Sequence, residues 1–259
     1  MADGVENLVG DSMTKPTNAI KRPYKLIDII QETPNVKTMR FKSEFGEKMD
    51  FKPGQFVQIG YSSDGSKIDV QRPYSIGSAP RSDVVDFYIE MINGKLTSIL
   101  DKARVGEIYN VSVPNGKNFE YSPSQNKKSL FIAAATGIAP FISMLRYIEQ
   151  NQIREDIVVL YTVRTKVDII RAAELEEFNK KGIAKVVITL TRPTESLNWT
   201  GETERINVGK INKYVPDVKE RTVYLCGSNQ FNSAMTELLK SCGVPADKDH
   251  IKHDVWGGH

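Results

Sequence analysis

The stretch SLFIAAATGIAPFISML, residues 129–145, carries no charge and decides the class of fold. It is long enough to raise the question of a membrane span, but Thr136, Gly137 and Pro140 interrupt it. An apolar strand over 130–135, a tight turn and a helix from Pro140 fit the pattern better. Small residues at such a turn let a ligand approach the backbone, although a plain strand-to-helix connection explains the turn equally well.

Downstream of this stretch, short apolar segments alternate with longer helical ones. Further strands are predicted at 157–162, 185–191, 223–226 and 251–255, and helices at 140–150, 172–181 and 230–241. This alternation predicts a doubly wound α/β domain, in which a parallel sheet carries helices on both faces. Ligands bind outside the carboxyl ends of such strands, so the chemistry should cluster after Ala135, Thr162, Thr191 and Cys226.

Upstream of the stretch, the pattern is that of short antiparallel strands. These are predicted at 24–30, 36–42, 55–60, 69–76, 84–91 and 108–113, with turn formers such as Pro53-Gly54 between them and one short helix at 96–102. Six such strands predict a small closed β-barrel. The chain is therefore expected to comprise a flexible tail (1–20), a barrel domain (21–125) and an α/β domain with a C-terminal aromatic tail (126–259).

Composition narrows the function classes. The 259 residues carry 35 Lys and Arg against 32 Asp and Glu, and a net charge of +3 gives no basis for nucleic-acid or membrane binding. Two cysteines, Cys226 and Cys242, cannot supply the four thiolates of an iron–sulfur cluster or an all-cysteine zinc site. The three histidines, His250, His253 and His259, lack a carboxylate framework, so no metal site is expected. The N-terminus has no apolar signal core, which favours a cytoplasmic location.

The segment Arg72-Pro73-Tyr74-Ser75 ends a predicted barrel strand. A guanidinium that forks onto phosphate, a planar phenol and a hydroxyl suit a phosphorylated aromatic ligand. Arg72 and Tyr74 share one face of a strand while Ser75 points to the other, so a local twist or bulge is needed for the three to converge. The alternative is a strand-end tyrosine beside a solvated arginine.

The segment Gly94-Lys95-Leu96-Thr97 places a glycine before the short predicted helix. Free amides and a hydroxyl in the first helical turn make an anion site. Taken alone, a glycine before a helix is nearly always just a turn, and only a second phosphate-binding feature gives the segment weight.

These segments, in this order, resemble the ferredoxin-NADP+ reductase family of flavoproteins from about residue 21 to 256. The resemblance implies that the barrel holds FAD, with Arg72 on the pyrophosphate and the Gly94–Thr97 segment at the flavin phosphate. It also implies that the turn after the first α/β strand lies against a nicotinamide dinucleotide. The matching residues are Arg72, Tyr74, Ser75, Gly94 and Thr97 in the first half, and Thr136, Gly137, Ala139 and Pro140 in the second.

The pair Thr191-Arg192 ends a predicted strand where a doubly wound sheet receives an adenosine. A hydroxyl followed by arginine resembles the pair with which NADP-specific family members grip the 2′-phosphate, whereas an acidic residue there would favour NAD. NADP(H) is therefore the expected nucleotide. Arg164 follows another strand end and is a further candidate contact. Arg205 is either a second basic contact or part of a surface ion pair.

Cys226-Gly227 matches the family's turn beside the nicotinamide, where Cys226 is expected to act as a small polarizable wall; a buried strand-end cysteine is the alternative. Asp254 and Trp256 match an acid and a terminal aromatic residue that stacks on the flavin in many members. The segment 257–259 extends past that aromatic position. Ser75, Cys226, Asp254 and Trp256 are the candidate catalytic residues, with Ser75 and Asp254 as hypothetical proton carriers.

The resemblance implies an FAD-dependent oxidoreductase that exchanges hydride with NADP(H) and single electrons with a ferredoxin or flavodoxin. Two alternatives stay open: the reductase component of an oxygenase, and a flavin-binding electron-transfer subunit of a larger complex. The expected state is a monomer or small homo-oligomer.

Overall fold

A computed structural model describes residues 22–124 and 127–255. Its first half is a six-stranded antiparallel sheet in the order β4-β3-β6-β1-β2-β5, and a short helix α1 separates β5 from β6. The elements are β1 (Pro23–Gln31), β2 (Val36–Ser43), β3 (Phe56–Tyr61), β4 (Val70–Ser75), β5 (Val85–Glu90), α1 (Lys95–Leu100) and β6 (Ile108–Val111).

Alternating apolar residues of this sheet face one core. Phe41 packs edge-to-face on Phe87 and Tyr109, with ring centroids 5.8 and 5.7 Å apart, and all three side chains are fully buried. Just after β4, the Gly77 amide donates to the Asp86 carbonyl at 2.8 Å. This bond brings the two end strands of the sheet together and gives the sheet the curvature of the expected barrel.

The second half is a six-stranded parallel sheet in the order β10-β9-β8-β7-β11-β12. The chain first runs outward from β7 through β8 and β9 to β10, then crosses back to β11 and β12, so the strand order reverses between β7 and β11. The elements are β7 (Lys128–Ala134), α2 (Ala139–Gln150), β8 (Asp156–Val163), α3 (Ala172–Lys180), β9 (Lys185–Leu190), β10 (Glu202–Thr203), α4 (Val208–Tyr214), β11 (Thr222–Gly227), α5 (Asn229–Ser241) and β12 (Ile251–Val255).

Both faces of this sheet are buried, which confirms the doubly wound arrangement. Phe131 belongs to an aromatic cluster on one face with Phe141 and Tyr224, while its neighbour Leu130 belongs to the apolar core on the other. Successive residues of a strand point to opposite faces, so a strand buried on both sides is a continuous apolar run. This is why residues 129–134 contain no charge.

All the predicted strands and helices within the described residues are present, with ends shifted by one or two residues. β7 ends at Ala134 because Ala135 has a positive φ of 47° and begins a 3₁₀ turn over Ala135–Ile138. Two elements were not predicted. β10 has two residues, and α4 contains Gly209, which weakens a helical pattern; its N-cap, the Asn207 side chain, accepts from the Lys210 amide at 3.0 Å.

Within 22–124 and 127–255, no helix combines the length and apolar character needed to cross a bilayer. The expectations for residues 1–20 and for Trp256 lie outside the described part of the chain.

Candidate active site

The turn between β7 and α2 lies directly against the end of β11. A Cβ atom built on Gly137 would overlap the Cys226 carbonyl oxygen, and its next neighbours are the Cys226 carbonyl carbon and the Gly227 amide nitrogen. Only glycine permits this approach of two backbones. The two motifs after β7 and β11 are thereby brought together at the point where the strand order reverses.

The same edge of the sheet holds an unsatisfied hydroxyl. Thr162 pairs with Ala134 in the neighbouring strand, and its Oγ1 is buried without a hydrogen-bond partner among the described residues. The turn above it is held by the Tyr161 hydroxyl, which donates to the Ala135 carbonyl at 3.1 Å. A buried hydroxyl without a partner beside an ordered turn is a polar group that a ligand can satisfy.

Side chains from both halves of the chain meet at Asp254. The Ser75 hydroxyl at the end of β4 donates to Asp254 Oδ2 at 2.9 Å, and Cys226 Sγ lies 3.8 Å from the same oxygen. Asp254 and Cys226 are neighbours in the β11–β12 pairing. Burial, reinforced by the Asp254 carboxylate, raises the pKa of the Cys226 thiol well above its usual value, so the thiol is neutral at physiological pH.

No bulge interrupts the 72–75 segment. The pairing of β3 with β4 runs without a register shift from Tyr61–Val70 to Phe56–Ser75, so Ser75 turns away from Arg72 and toward Asp254. Arg72 is exposed, and within the described ranges its guanidinium donates only to the Gln71 carbonyl at 2.8 Å. Tyr74 packs against the barrel core, and this burial raises its pKa to about 12 despite the nearby Arg72 charge. Pro73 is exposed between them.

The helix α1 begins as predicted at Lys95, after Gly94. The Gly94 amide donates to Thr97 Oγ1 at 2.9 Å, so the buried hydroxyl of Thr97 closes the first turn. Lys95 is exposed, whereas the Leu96 side chain is buried in the barrel core. Any contact of Leu96 with a ligand must therefore come from its backbone.

A cavity of about 460 Å³ lies beyond the carboxyl ends of β8 and β9, lined by Arg164, Thr191, Arg192, Glu204 and Arg205. The pairing of β8 with β9 continues into this cavity. The amides of Thr191 and Arg192 donate to the carbonyls of Val163 and Arg164 at 2.9 and 2.8 Å. The structure therefore groups both residues of the predicted nucleotide pair with the two further arginines.

Glu204 also lines this cavity, although the sequence did not mark it as a site residue. Its signal was its position next to Arg205, in the segment that returns to the sheet after β9. There β10 pairs with β9, and the Glu204 amide donates to the Leu190 carbonyl at 2.8 Å.

Two family models match the chain in the order of the two sheets. Residues 23–121 match the oxidoreductase FAD-binding domain, and residues 131–237 match the oxidoreductase NAD-binding domain. The chain belongs to the ferredoxin-NADP+ reductase family. FAD and a nicotinamide dinucleotide are the cofactors of these two domains.

Curated relatives in this family include reductases of different systems. The chain is 30% identical over 239 residues to the glycine betaine monooxygenase reductase subunit of Chromohalobacter salexigens, covering 90% of this chain and 63% of that protein. It is 27% identical over 241 residues to ferredoxin–NADP reductase B of Sorangium cellulosum, covering 88% and 95%. The chain spans less than two thirds of the length of the first curated relatives it matches.

A solved structure with the same fold is the ferredoxin NADP+ reductase of Neisseria gonorrhoeae with bound FAD and NADP. The TM-score is 0.75 at 19% identity, and the match covers 90% of this chain and 97% of that one. This likeness shows the two-sheet fold.

Proposed function

We propose that the chain is an FAD-dependent reductase that takes hydride from NADPH and delivers single electrons to a ferredoxin or flavodoxin. The observation that carries the proposal is the meeting of Ser75, Asp254 and Cys226, which joins the flavin half to the carboxyl edge of the nucleotide half. When bound, FAD accepts a hydride and releases its electrons one at a time. A division into two domains at residue 125 is part of the same proposal.

The barrel residues fit an anionic, flat cofactor. Arg72 makes no ion pair within the described residues, so its guanidinium is free to take a pyrophosphate. The backbone amides at the start of α1 and the half-buried ring of Tyr74 supply the remaining features that such a ligand needs. We assign these residues, with Ser75, to the flavin.

The nucleotide residues have positioning roles. Gly137 leaves space where a side chain would push the Thr136 turn off Cys226, and Ala139 and Pro140 continue that turn into α2. The neutral thiol of Cys226 and the adjacent Gly227 form an uncharged wall that keeps water away from the nicotinamide. Asp254 orients the Ser75 hydroxyl, and this pair can hold or move a proton at Ser75 Oγ.

The preference for NADPH over NADH rests on the cavity beyond β8 and β9. Arg164, Arg192 and Arg205 bring three positive charges to one site with Thr191, and guanidinium forks suit the 2′-phosphate. Among the residues that the structure describes, the Arg192 guanidinium is engaged only by an exposed contact of 3.9 Å to Glu195, so it is available to a phosphate.

A second candidate is the reductase component of an oxygenase. It is favoured by the match to a monooxygenase reductase subunit of which this chain spans 63%. Both candidates share the hydride step and differ in the acceptor. A cytoplasmic location and a monomer or small homo-oligomer stay predictions.

Absorbance spectra of the purified protein and NADPH-dependent ferricyanide reduction test the shared step. We expect a yellow protein with NADPH turnover, and a colourless protein after reconstitution with FAD would contradict the proposal. Stopped-flow reduction of a ferredoxin, a flavodoxin and an oxygenase component then distinguishes the acceptors.

The substitution Ser75→Ala tests the role of the Ser75–Asp254 contact. It should slow hydride transfer at least tenfold, because the hydroxyl that holds a proton beside Asp254 is lost. The matched control is Ser82→Ala, whose hydroxyl makes no hydrogen bond within the described residues and whose loss should leave the rate unchanged. An unchanged rate in Ser75→Ala would remove this hydroxyl from the mechanism.

A further inference from the structure

One residue of the proposed nucleotide cavity carries a charge of the wrong sign for binding a phosphate. Glu204 lines the same cavity as the three arginines, and its negative charge is unfavourable for a bound phosphate. The cavity is about 460 Å³, so its walls lie within roughly one Debye length (about 8 Å) of each other and salt screens the carboxylate from a ligand only in part.

The position of Glu204 is fixed by its backbone. Its amide donates to the Leu190 carbonyl at 2.8 Å, its carbonyl accepts from Thr189 Oγ1 at 2.6 Å, and its φ of 69° lies in the left-handed region. Main-chain bonds to β9 on both sides keep this residue at the cavity wall.

The carboxylate of Glu204 is uncommitted, unlike those around it. Glu202 pairs with Lys213 at 2.6 Å and accepts from the Tyr214 hydroxyl, and Glu195 contacts Arg192. Glu204 itself makes no ion pair or side-chain hydrogen bond with any residue in the described ranges. A structural role in an ion-pair network therefore does not explain it.

We propose that Glu204 sets the cofactor selectivity of this cavity by weakening the binding of NADPH and making NADH an acceptable donor. The inference rests on the proposed function, which places the adenosine ribose here. A carboxylate repels the 2′-phosphate of NADPH, whereas it accepts a hydrogen bond from the 2′-hydroxyl of NADH. The arginines and Glu204 together thus make a site whose preference for NADPH is weakened, and removing the acid strengthens that preference.

Calorimetric titration of the purified flavoprotein with 2′,5′-ADP and 5′-AMP tests this directly, since the two probes differ only in the 2′-phosphate. In Glu204→Gln we expect 2′,5′-ADP to bind about tenfold more tightly and 5′-AMP to bind equally or a few-fold less tightly. Glu204→Asn, which is neutral and tolerates a positive φ, should change the ratio in the same direction. The NADPH-to-NADH ratio of kcat/KM should rise in parallel.

Two controls separate the possible failures. Arg192→Gln should weaken 2′,5′-ADP at least tenfold, and Glu237→Gln, an exposed carboxylate paired with Lys240 on α5, should change neither probe. If Arg192→Gln has its effect but both Glu204 variants leave the probe ratio unchanged, the role of Glu204 is overturned and the NADPH cavity stands. If the wild-type protein binds neither probe, both proposals fail.

Discussion

At the scale of single residues, the site depends on what Gly137 lacks and on what surrounds Cys226. The glycine lets the turn after β7 touch the backbone of β11, and the thiol is buried beside an acid. Neither feature requires reactive chemistry from the side chain. Both concern the shape and charge of the wall that we propose for the nucleotide.

We expect Gly137→Ala to cost about 1–3 kcal/mol of stability and to lower nucleotide affinity, because the added methyl group overlaps a backbone carbonyl that cannot rotate away. Chemical denaturation and NADP+ titration measure the two effects. The matched control is Gly209→Ala in α4, where the nearest atom to a new Cβ, apart from its own helix backbone and sequence neighbours, is the Asn207 side-chain oxygen at 3.3 Å. That control should be neutral or stabilising, since alanine favours helix. Equal effects at both sites would contradict the assigned contact.

The two cysteines should differ in reactivity. In the native protein a thiol reagent should modify the partly exposed Cys242 and spare Cys226, and both thiols should react after unfolding.

The raised pKa of Cys226 also has a consequence for stability. The neutral buried thiol stabilises the folded state fully below the pKa of the unfolded thiol, about 8.5. This stabilisation is lost as pH rises above that value, because the unfolded thiol then ionises and the folded one does not. Cys226→Ala should therefore lose less stability than wild type between pH 8 and 10, and an identical alkaline decline would contradict this.

At the scale of elements, β12 is attached to α5 beside the proposed nicotinamide turn. The side-chain amide of Asn232, 3% exposed in the first turns of α5, donates to the Asp254 carbonyl at 2.8 Å. The helix itself is capped by Ser228, whose Oγ accepts from the Phe231 amide at 3.2 Å. The acid that meets Ser75 is thus held through its backbone by the helix that follows Gly227.

Asn232→Ala should destabilise the protein by about 1–3 kcal/mol, because it removes a buried side chain that donates to the Asp254 carbonyl. It should also slow hydride transfer, since Asp254 loses its support. Ser241→Ala at the far end of α5 removes an exposed hydroxyl bond to Leu238 and is the control, expected to change stability by less than about 0.5 kcal/mol. Urea denaturation measures the first effect and stopped-flow reduction the second. A fully stable and fully active Asn232→Ala variant would contradict this role of the Asn232–Asp254 hydrogen bond.

At the scale of the whole molecule, Arg146 of α2 connects the two halves. It forms a two-pronged pair with Glu174 at 2.6 and 2.9 Å, donates to the Gly77 carbonyl at 2.9 Å and lies 3.5 Å from Asp86. Helix α2 begins at the nucleotide turn, and Gly77 follows the flavin segment. This arginine therefore ties the two halves together beside both proposed cofactor segments.

Arg146→Met should cost about 1–3 kcal/mol, because it removes the charge-assisted hydrogen bonds to Glu174 and the donor to the Gly77 carbonyl, while Glu174 keeps Arg171 and Asp86 keeps Arg40. It should also reduce kcat more than it raises KM for NADPH, since the angle between the halves changes while the nucleotide cavity stays intact. Lys181→Ala, which removes an exposed ion pair to Glu149, is the control and should leave the unfolding midpoint unchanged. Denaturation and steady-state kinetics decide, and a loss of nucleotide binding alone would contradict the assignment.

The same interface should be sensitive to acid. Burial alone would raise the pKa of Glu174, but its hydrogen bonds and charge pairs with Arg146 and Arg171 outweigh burial and lower the pKa. The stabilisation from this carboxylate is therefore present above its unfolded pKa, about 4.3, and is lost as pH falls through the lower folded value. Glu174→Gln should be less stable at pH 7 and should show a shallower loss of stability below pH 4.5 in urea titrations. A slope equal to that of wild type would contradict the ion pair.

Much of the site was predictable from order along the chain. The apolar run 129–134, the turn at Gly137 and the pair Thr191-Arg192 indicated a doubly wound sheet with its chemistry after successive strands. Each is a local pattern, in which burial on both faces and backbone freedom leave a direct mark on residue choice. The family resemblance added the flavin half in the same way, motif by motif.

Contacts between distant segments could not be derived from such patterns. The bond from Ser75 to Asp254 spans 179 positions, and Glu204 enters the arginine cavity only because β10 pairs with β9. Strand order and domain packing fix these distances, and neither is written in the spacing of any one motif. Sequence alone therefore determined which chemistry the chain carries, and tertiary structure decided which side chains meet to perform it, since charge and hydrogen bonding act through space.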